Sequence, residues 1–222
     1  MTEVDLAQDS VRALNQRLHD LAADTNQRRW RVVNPRGAHA VAAGLTVPIE
    51  IEIDGHVGYY CAGMNEQASV TVQGHAGTGL AENIMSGVVR VTGNASQSAA
   101  ASGRGGLVVI EGDASARCGI SMKGVDIVVG GSIGHLSAFM GQAGNLVVCG
   151  DAGADLGDSL YEADIFVAGT VASLGADCVE KPMTAALVAR VAALLARAGV
   201  TADAARFRHY GSARTLYHFH VD

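Results

Sequence analysis

The residues of this sequence that could do chemistry fall into a few small groups. His56 and His75 stand nineteen residues apart, and Asn94, Asp113 and Asp151 continue the same spacing. Imidazoles and carboxylates stacked in this way are the raw material of a metal site. They also make a hydrogen-bonded polar corner, and we read them as that. His218 and His220, in "YHFH", would share one strand face, but two histidines are too few for a catalytic metal, so a surface or interface pair is expected. Cys61 and Cys118 have no basic partner nearby in sequence and read as buried thiols. Ser121 and Ser159 sit in corresponding loops without a G-x-S-x-G elbow. Asp155, Asp158, Glu162 and Asp164 read as a solvated acidic edge. The glycine-rich stretches "GHAGTG" (74–79) and "GRGG" (103–106) invite a phosphate site, yet no G-K-[ST] follows. No group forms a complete constellation, so no catalytic, cofactor-binding or metal-ligating residue is assigned to this chain.

The elements that carry these residues are set by a repeat. Runs of β-branched residues end in glycine seven times: IEIDG, VTVQG, VRVTG, VVIEG, IVVGG, LVVCG and IFVAG. The glycines are Gly55, Gly74, Gly93, Gly112, Gly131, Gly150 and Gly169, at an unbroken interval of nineteen. Four and two residues before each glycine stand only Ile, Val or Leu, alternating with variable residues, the period of a strand with one buried face. Two residues after it come Val57, Ala76, Ala95, Ala114, Ile133, Ala152 and Val171. Seven after it only Ala or Gly occurs, which demands a tight place. A fixed period near twenty with one short strand per period specifies a β-solenoid. We expect a right-handed parallel β-helix of single strands with nineteen-residue turns, six turns spanning about 29 Å. The glycine is expected at a corner needing positive φ or close backbone approach.

The outward residue three before the glycine changes along the stack, from Glu52, Thr71 and Arg90 to Val109, Val128, Val147 and Phe166. The later half must be covered, by the C-terminal helix or by another subunit. Residues 3–22 have helical spacing, with a capping box at Thr2 and Asp5, and strands are expected around "RVVNP" and "LTVPIEIEI". "KPMTAALVARVAALLARAG" reads as a helix stopped by Gly199 and packed on the late turns. A short helix at 201–207 and a strand "TLYHFHV" follow. The divisions are a helical cap at 1–27, the β-helix at 28–180, and a helix and tail at 181–222.

Composition excludes several functions. Charged residues make up 17% and apolar residues 49%, so disorder is not expected. The net charge is −6, with two lysines, so a nucleic-acid backbone would find no cationic track. No apolar run is long enough to span a membrane and the start lacks a secretion signal, so the cytoplasm is expected. The four cysteines show no C-x-x-C spacing.

The nineteen-residue glycine repeat, over about 30–180, resembles the GXGXG-domain family. That family includes the C-terminal β-helix domain of the glutamate synthase large subunit and the C subunit of formylmethanofuran dehydrogenase. "GDAGADLGD" and "GHAGTGLAE" keep the motif's character, while "GNASQSAAA" loses two glycines. "DSLYEADIFVAGTVASLGADCVEK" (158–181), the following helix and "SARTLYHF" resemble the stand-alone subunit of glutamate-synthase-like complexes, such as N-methylglutamate synthase (methylamine–glutamate N-methyltransferase) and the GlxC proteins. The resemblance implies a non-catalytic scaffold. It would hold a glutamine-amidotransferase-like subunit and an FMN- and iron–sulfur-containing subunit together, so that a small amine passes between their sites. It implies no cofactor in this chain. The expected contacts are Asn65, Glu66, Arg104, Arg117, Asp158 and Tyr161 at loop corners, and the late-turn face Val109, Val128, Val147 and Phe166. A formylmethanofuran dehydrogenase C-type subunit, or one of a formyltransferase–hydrolase complex, is the alternative. An independent solenoid hydrolase is a third, and would need two or three carboxylates converging on an open face.

Overall fold

A computed structural model of the chain describes residues 1–214. The described strands form one sheet. They are β1 (Thr2–Asp5), β2 (Arg29–Val33), β3 (Glu50–Asp54), β4 (Ser69–Val72), β5 (Val88–Val91), β6 (Leu107–Ile110), β7 (Lys123–Val129), β8 (Ala143–Val148), β9 (Asp164–Val167), β10 (Cys178–Lys181) and β11 (Arg208–Ser212). β1 to β9 lie side by side in chain order, all parallel. From β3 to β9 the register is that of the repeat: Ile51, Val70, Val89, Val108, Ile127, Leu146 and Ile165 pair in succession. The chain is therefore a parallel β-solenoid with nineteen-residue turns. These side chains and those two residues on are buried in one continuous core. Each contributes about 1.5–3 kcal/mol relative to an exposed position.

Each turn has two further sides. On the second, single-residue parallel bridges link Val57, Ala76, Ala95, Ala114, Ile133, Ala152 and Val171. The third has a backbone that the sequence pattern does not announce. Residues five, seven and nine after each glycine, from Tyr60, Ala62 and Met64 through Asp155, Gly157 and Ser159, are left-handed, with φ between 52° and 73°. Their N–H groups point alternately to the next turn and the previous one. Tyr60 donates to the Thr78 carbonyl, Ala62 to Val41 and Met64 to Glu82. The Ala/Gly column is the middle member of each triplet and is fully buried at Ala62, Ala81, Ala100 and Ala138. A Cβ on Gly119 would lie 3.0 Å from Ile127, and one on Gly157 2.8 Å from the Cys178 sulfur.

The N-terminal end corrects the expectation of a helix over 3–22. Thr2–Asp5 is a strand that pairs with β2 and buries Val4. The Asp5 carboxylate accepts from the Ala7 N–H and the Asn34 amide, turning the chain after β1. The helix α1 (Val11–His19) starts only where Ser10 caps it, its hydroxyl accepting from the Ala13 N–H. Asn15 on α1 donates to the Ala40 carbonyl and accepts from the Ala42 N–H. One side-chain amide thus stands in for the turn missing below the first rung. The strand expected at "LTVPIEIEI" begins after Pro48, which has no N–H for the ladder.

At the other end β11 pairs antiparallel with β9, and β10 pairs antiparallel with β11. The helix α2 (Ala185–Ala198) is capped by Thr184 and ends at Gly199, whose φ is 64°. Its residues Val191, Leu194, Leu195 and Ala198 form a second core with Val109, Val128, Val147 and Phe166. Arg190 pairs with Asp164 on β9, and Arg197 with Asp126 on β7. Arg90 on β5 donates to the Ala198 carbonyl, a cation at a helix C-terminus. A helix of this length spans about 21 Å, close to the roughly 19 Å across the four strand spacings from β9 to β5. Residues 201–207 hold a 3₁₀ turn, Ala204–Arg206, capped by Asp203. The expected strand "TLYHFHV", with His218 and His220, lies outside the described residues.

Phe166 is the largest strand side chain at the join between α2 and the sheet. Phe166→Ala is expected to lower stability by about 3–5 kcal/mol, read as an earlier urea midpoint with an unchanged slope.

Candidate functional site

The polar column after the glycines is a chain of six bonds, one per turn. The His75 N–H donates to His56 Nδ1, and the Asn94 N–H to His75 Nδ1. Asp113 donates to Asn94 Oδ1, Ser132 to Asp113 Oδ1, Asp151 to Ser132 Oγ and Thr170 to Asp151 Oδ1. The two imidazoles stack 4.8 Å apart. Each ring accepts through Nδ1, so the proton sits on Nε2. The acceptors occupy the space a glycine Cβ would need. A Cβ on Gly112 would lie 2.1 Å from Asn94 Oδ1, and one on Gly131 2.2 Å from Asp113 Oδ1. Of the seven repeat glycines only Gly55 has positive φ, so close approach is what the other six provide.

The other candidates resolve individually. Cys61 and Cys118 are buried, and burial pushes both thiols up to about 12, far from nucleophilic at neutral pH. Asp164 is not part of a solvated edge. It accepts from His209 at 2.7 Å and from Arg190 at 2.6 Å. Burial raises its pKa, but His209 and Arg190 together outweigh burial and hold the carboxyl below the usual range. Asp151 is lowered by the Thr170 N–H and hydroxyl. Among the described residues no three of His, Cys, Asp and Glu converge on a metal site.

The expected contact residues separate into three groups. Val109, Val128, Val147 and Phe166 are fully buried under the chain's own α2, so they are a second core and not a face open to a partner. Asn65 is also buried. Its amide donates to the Ala68 and Ser86 carbonyls, which makes it a corner brace. Asp158 accepts from the neighbouring Ser159 hydroxyl and, from the next turn, the Ala176 N–H. Arg117 is exposed at the first left-handed position of its turn. Glu66, Arg104 and Tyr161 prove to be one column, eleven residues after the glycine. Met85, Lys123 and Gln142 complete it and were missed, although the nineteen-residue period also places them. Tyr161 is 48% exposed, Met85 43%, Met64 47% and Met140 40%, the last two only two residues earlier in their turns. Most of the body's exposed large apolar side chains therefore lie along this one side. Near its C-terminal end is a groove of about 210 Å³ lined by Met140, Ser159, Leu160, Tyr161, Asp177 and Arg214. The outer face of the early strands differs. Its groove, about 440 Å³, is lined mainly by polar residues including Arg29, Glu50, Glu52 and Gln73. Arg29 pairs there with Glu50, and Gln73 with Glu52.

The chain is 56% identical over 223 residues to Protein GlxC of Rhizobium meliloti (strain 1021), covering 100% of this chain and 98% of that one. No protein-family model matches it, and no solved structure matches significantly.

Gly112→Ala is expected to destabilise the fold strongly. Adding Asn94→Ala is expected to recover part of that loss in a double-mutant cycle, because the Cβ then meets only the Gly93 backbone. For Asp164, a folded pKa below the unfolded one means stability present above about pH 4 and lost as pH falls through the folded value. Asp164→Asn should therefore be less stable than wild type at pH 7, and the gap should close on acidification, as read by thermal melts.

Proposed function

The chain belongs to the GlxC family, and on that premise we propose that it is the non-catalytic β-helix subunit of a glutamate-synthase-like enzyme. It holds a glutamine-amidotransferase-like subunit and an FMN- and iron–sulfur-containing subunit in register. The reaction served is N-methylglutamate synthesis, in which methylamine and glutamate give N-methylglutamate and ammonia. This chain contributes position: two active sites held at fixed separation deliver a small amine without release to water.

The observation that carries this reading is where the polar groups are used. The imidazoles, amide, carboxylates and hydroxyl of the glycine corner join turn to turn. Asp164 and Asp126 fasten α2 to the sheet. Such side chains make a stiff body. FMN and the cluster belong to the partner subunit. Cys61 and Cys118, buried three turns or about 14 Å apart, are too distant to ligate one cluster. The four free cysteines agree with the cytoplasm as the compartment.

Affinity purification of the tagged chain from its native cell tests the proposal. The expected result is co-purification of both subunits, a yellow-brown absorption spectrum, and methylamine-dependent N-methylglutamate formation. A colourless chain that elutes alone would overturn it.

A further inference from the structure

We propose that one partner protein docks on the third side of the solenoid, along the column eleven residues after the glycine, through an apolar anchoring side chain with carboxylates beside it. The inference rests on the scaffold function above and assigns it a face.

Three observations select this side. First, the alternatives are occupied or polar. The late strand face is covered by α2, the early strand face carries its own ion and hydrogen-bonded pairs, and the glycine corner is closed by its bonded column. Second, the apolar groups concentrate here. Met140 and Tyr161 are exposed, and Ile120 and Phe139, at one equivalent position on adjacent turns, are half-buried, Phe139 next to Met140 in the chain. The groove between Met140, Leu160 and Tyr161 is a concave seat for one anchoring side chain.

Third, charge names the partner's chemistry. Arg104 and Lys123 occupy the same column on adjacent turns, about 4.8 Å apart along the stack, and both are exposed. Among the described residues neither forms an ion pair, although the chain carries 22 acidic residues against 16 basic ones. Arg12, Arg28, Arg36, Arg117, Lys181 and Arg206 also lack an ion pair among these residues, but none of them shares a repeat column with another on the adjacent turn, as Arg104 and Lys123 do. Two unpaired cations between apolar groups at Met85 and Met140 complement a surface whose carboxylates lie between apolar side chains. Membrane and nucleic acid do not fit, because the cationic stretch is two residues long in a chain of net charge −6.

The test is binding of the purified full chain to each co-expressed subunit, by calorimetry at low and high salt. Three variants are compared with wild type: Arg104→Glu with Lys123→Glu, Tyr161→Ala, and Met140→Asn, which suits the left-handed backbone there. One subunit is expected to bind wild type with salt-sensitive affinity. Each variant should weaken it at least tenfold, and the charge variant should also lose the salt dependence. Circular dichroism and the thermal midpoint should not change, and Ser69→Lys, on the strand side, should bind as wild type does. Wild-type capture retained in full by all three variants overturns this face and leaves the scaffold function standing. A wild-type chain that captures neither subunit overturns both. Self-association of wild type, abolished by the variants, assigns the face to a second copy and overturns the partner proposed here.

Discussion

Each turn of this protein must satisfy its backbone on the turn above and the turn below, and among the tightest of these contacts are those at the glycine corner. There a side-chain acceptor of one turn sits where the next turn's Cβ would be, 2.1 Å away at Gly112 and 2.4 Å at Gly93. A methyl group at that point would push the turns apart and break the N–H bond that the acceptor receives. The nineteen-residue period follows from this. The strand, the bridge column and the left-handed triplets keep register because each corner is fixed to the one before it.

The second and third sides show the consequence. A nonglycine residue in the left-handed region costs about 1–2 kcal/mol, and this chain places Tyr60, Leu136, Met140 and Arg117 there. These positions are tolerated because alternating φ aims successive N–H groups at opposite neighbours, so each one is bonded between turns. The arrangement needs a neighbour on both sides, which is why the first rung requires a substitute. The Asn15 amide supplies one donor and one acceptor in place of a turn. At the far end the substitute is a pair of antiparallel strands. Both ends blunt an edge that would otherwise template further pairing.

Much of this was legible in the sequence, for reasons that can be located. Identical columns at nineteen-residue spacing fix the strand register, and Gly199 and Leu194 fix α2. The Ala/Gly column announced a tight place, but not its left-handed backbone, because Tyr60 or Arg117 at neighbouring positions carries no signature of positive φ. The N-terminus was misread because Val4, Val11, Leu14 and Leu18 keep helical spacing across the turn that Asp5 makes. Val109, Val128, Val147 and Phe166 were correctly seen to need a cover. Their hydrophobicity alone could not say whether the cover was α2 or another chain. The contact column was visible only in part, since Glu66, Arg104 and Tyr161 share no residue type.

Covering the late strands with its own helix changes what the remaining surface can do. A solenoid offers three long sides to its surroundings. Here one is half covered by α2, and its corner with the second carries stacked polar groups whose bonds hold the turns together. The third combines stiffness with variety. Its buried middle column fixes the backbone to within the tolerance of Ala against Gly, while the positions on either side change from turn to turn without strain on the core. A surface can therefore diversify residue by residue along that side while the spacing between its contact points stays constant. That separation of a fixed interior column from a free exterior one is the physical property a positioning subunit requires, and it arises from the backbone alternation itself.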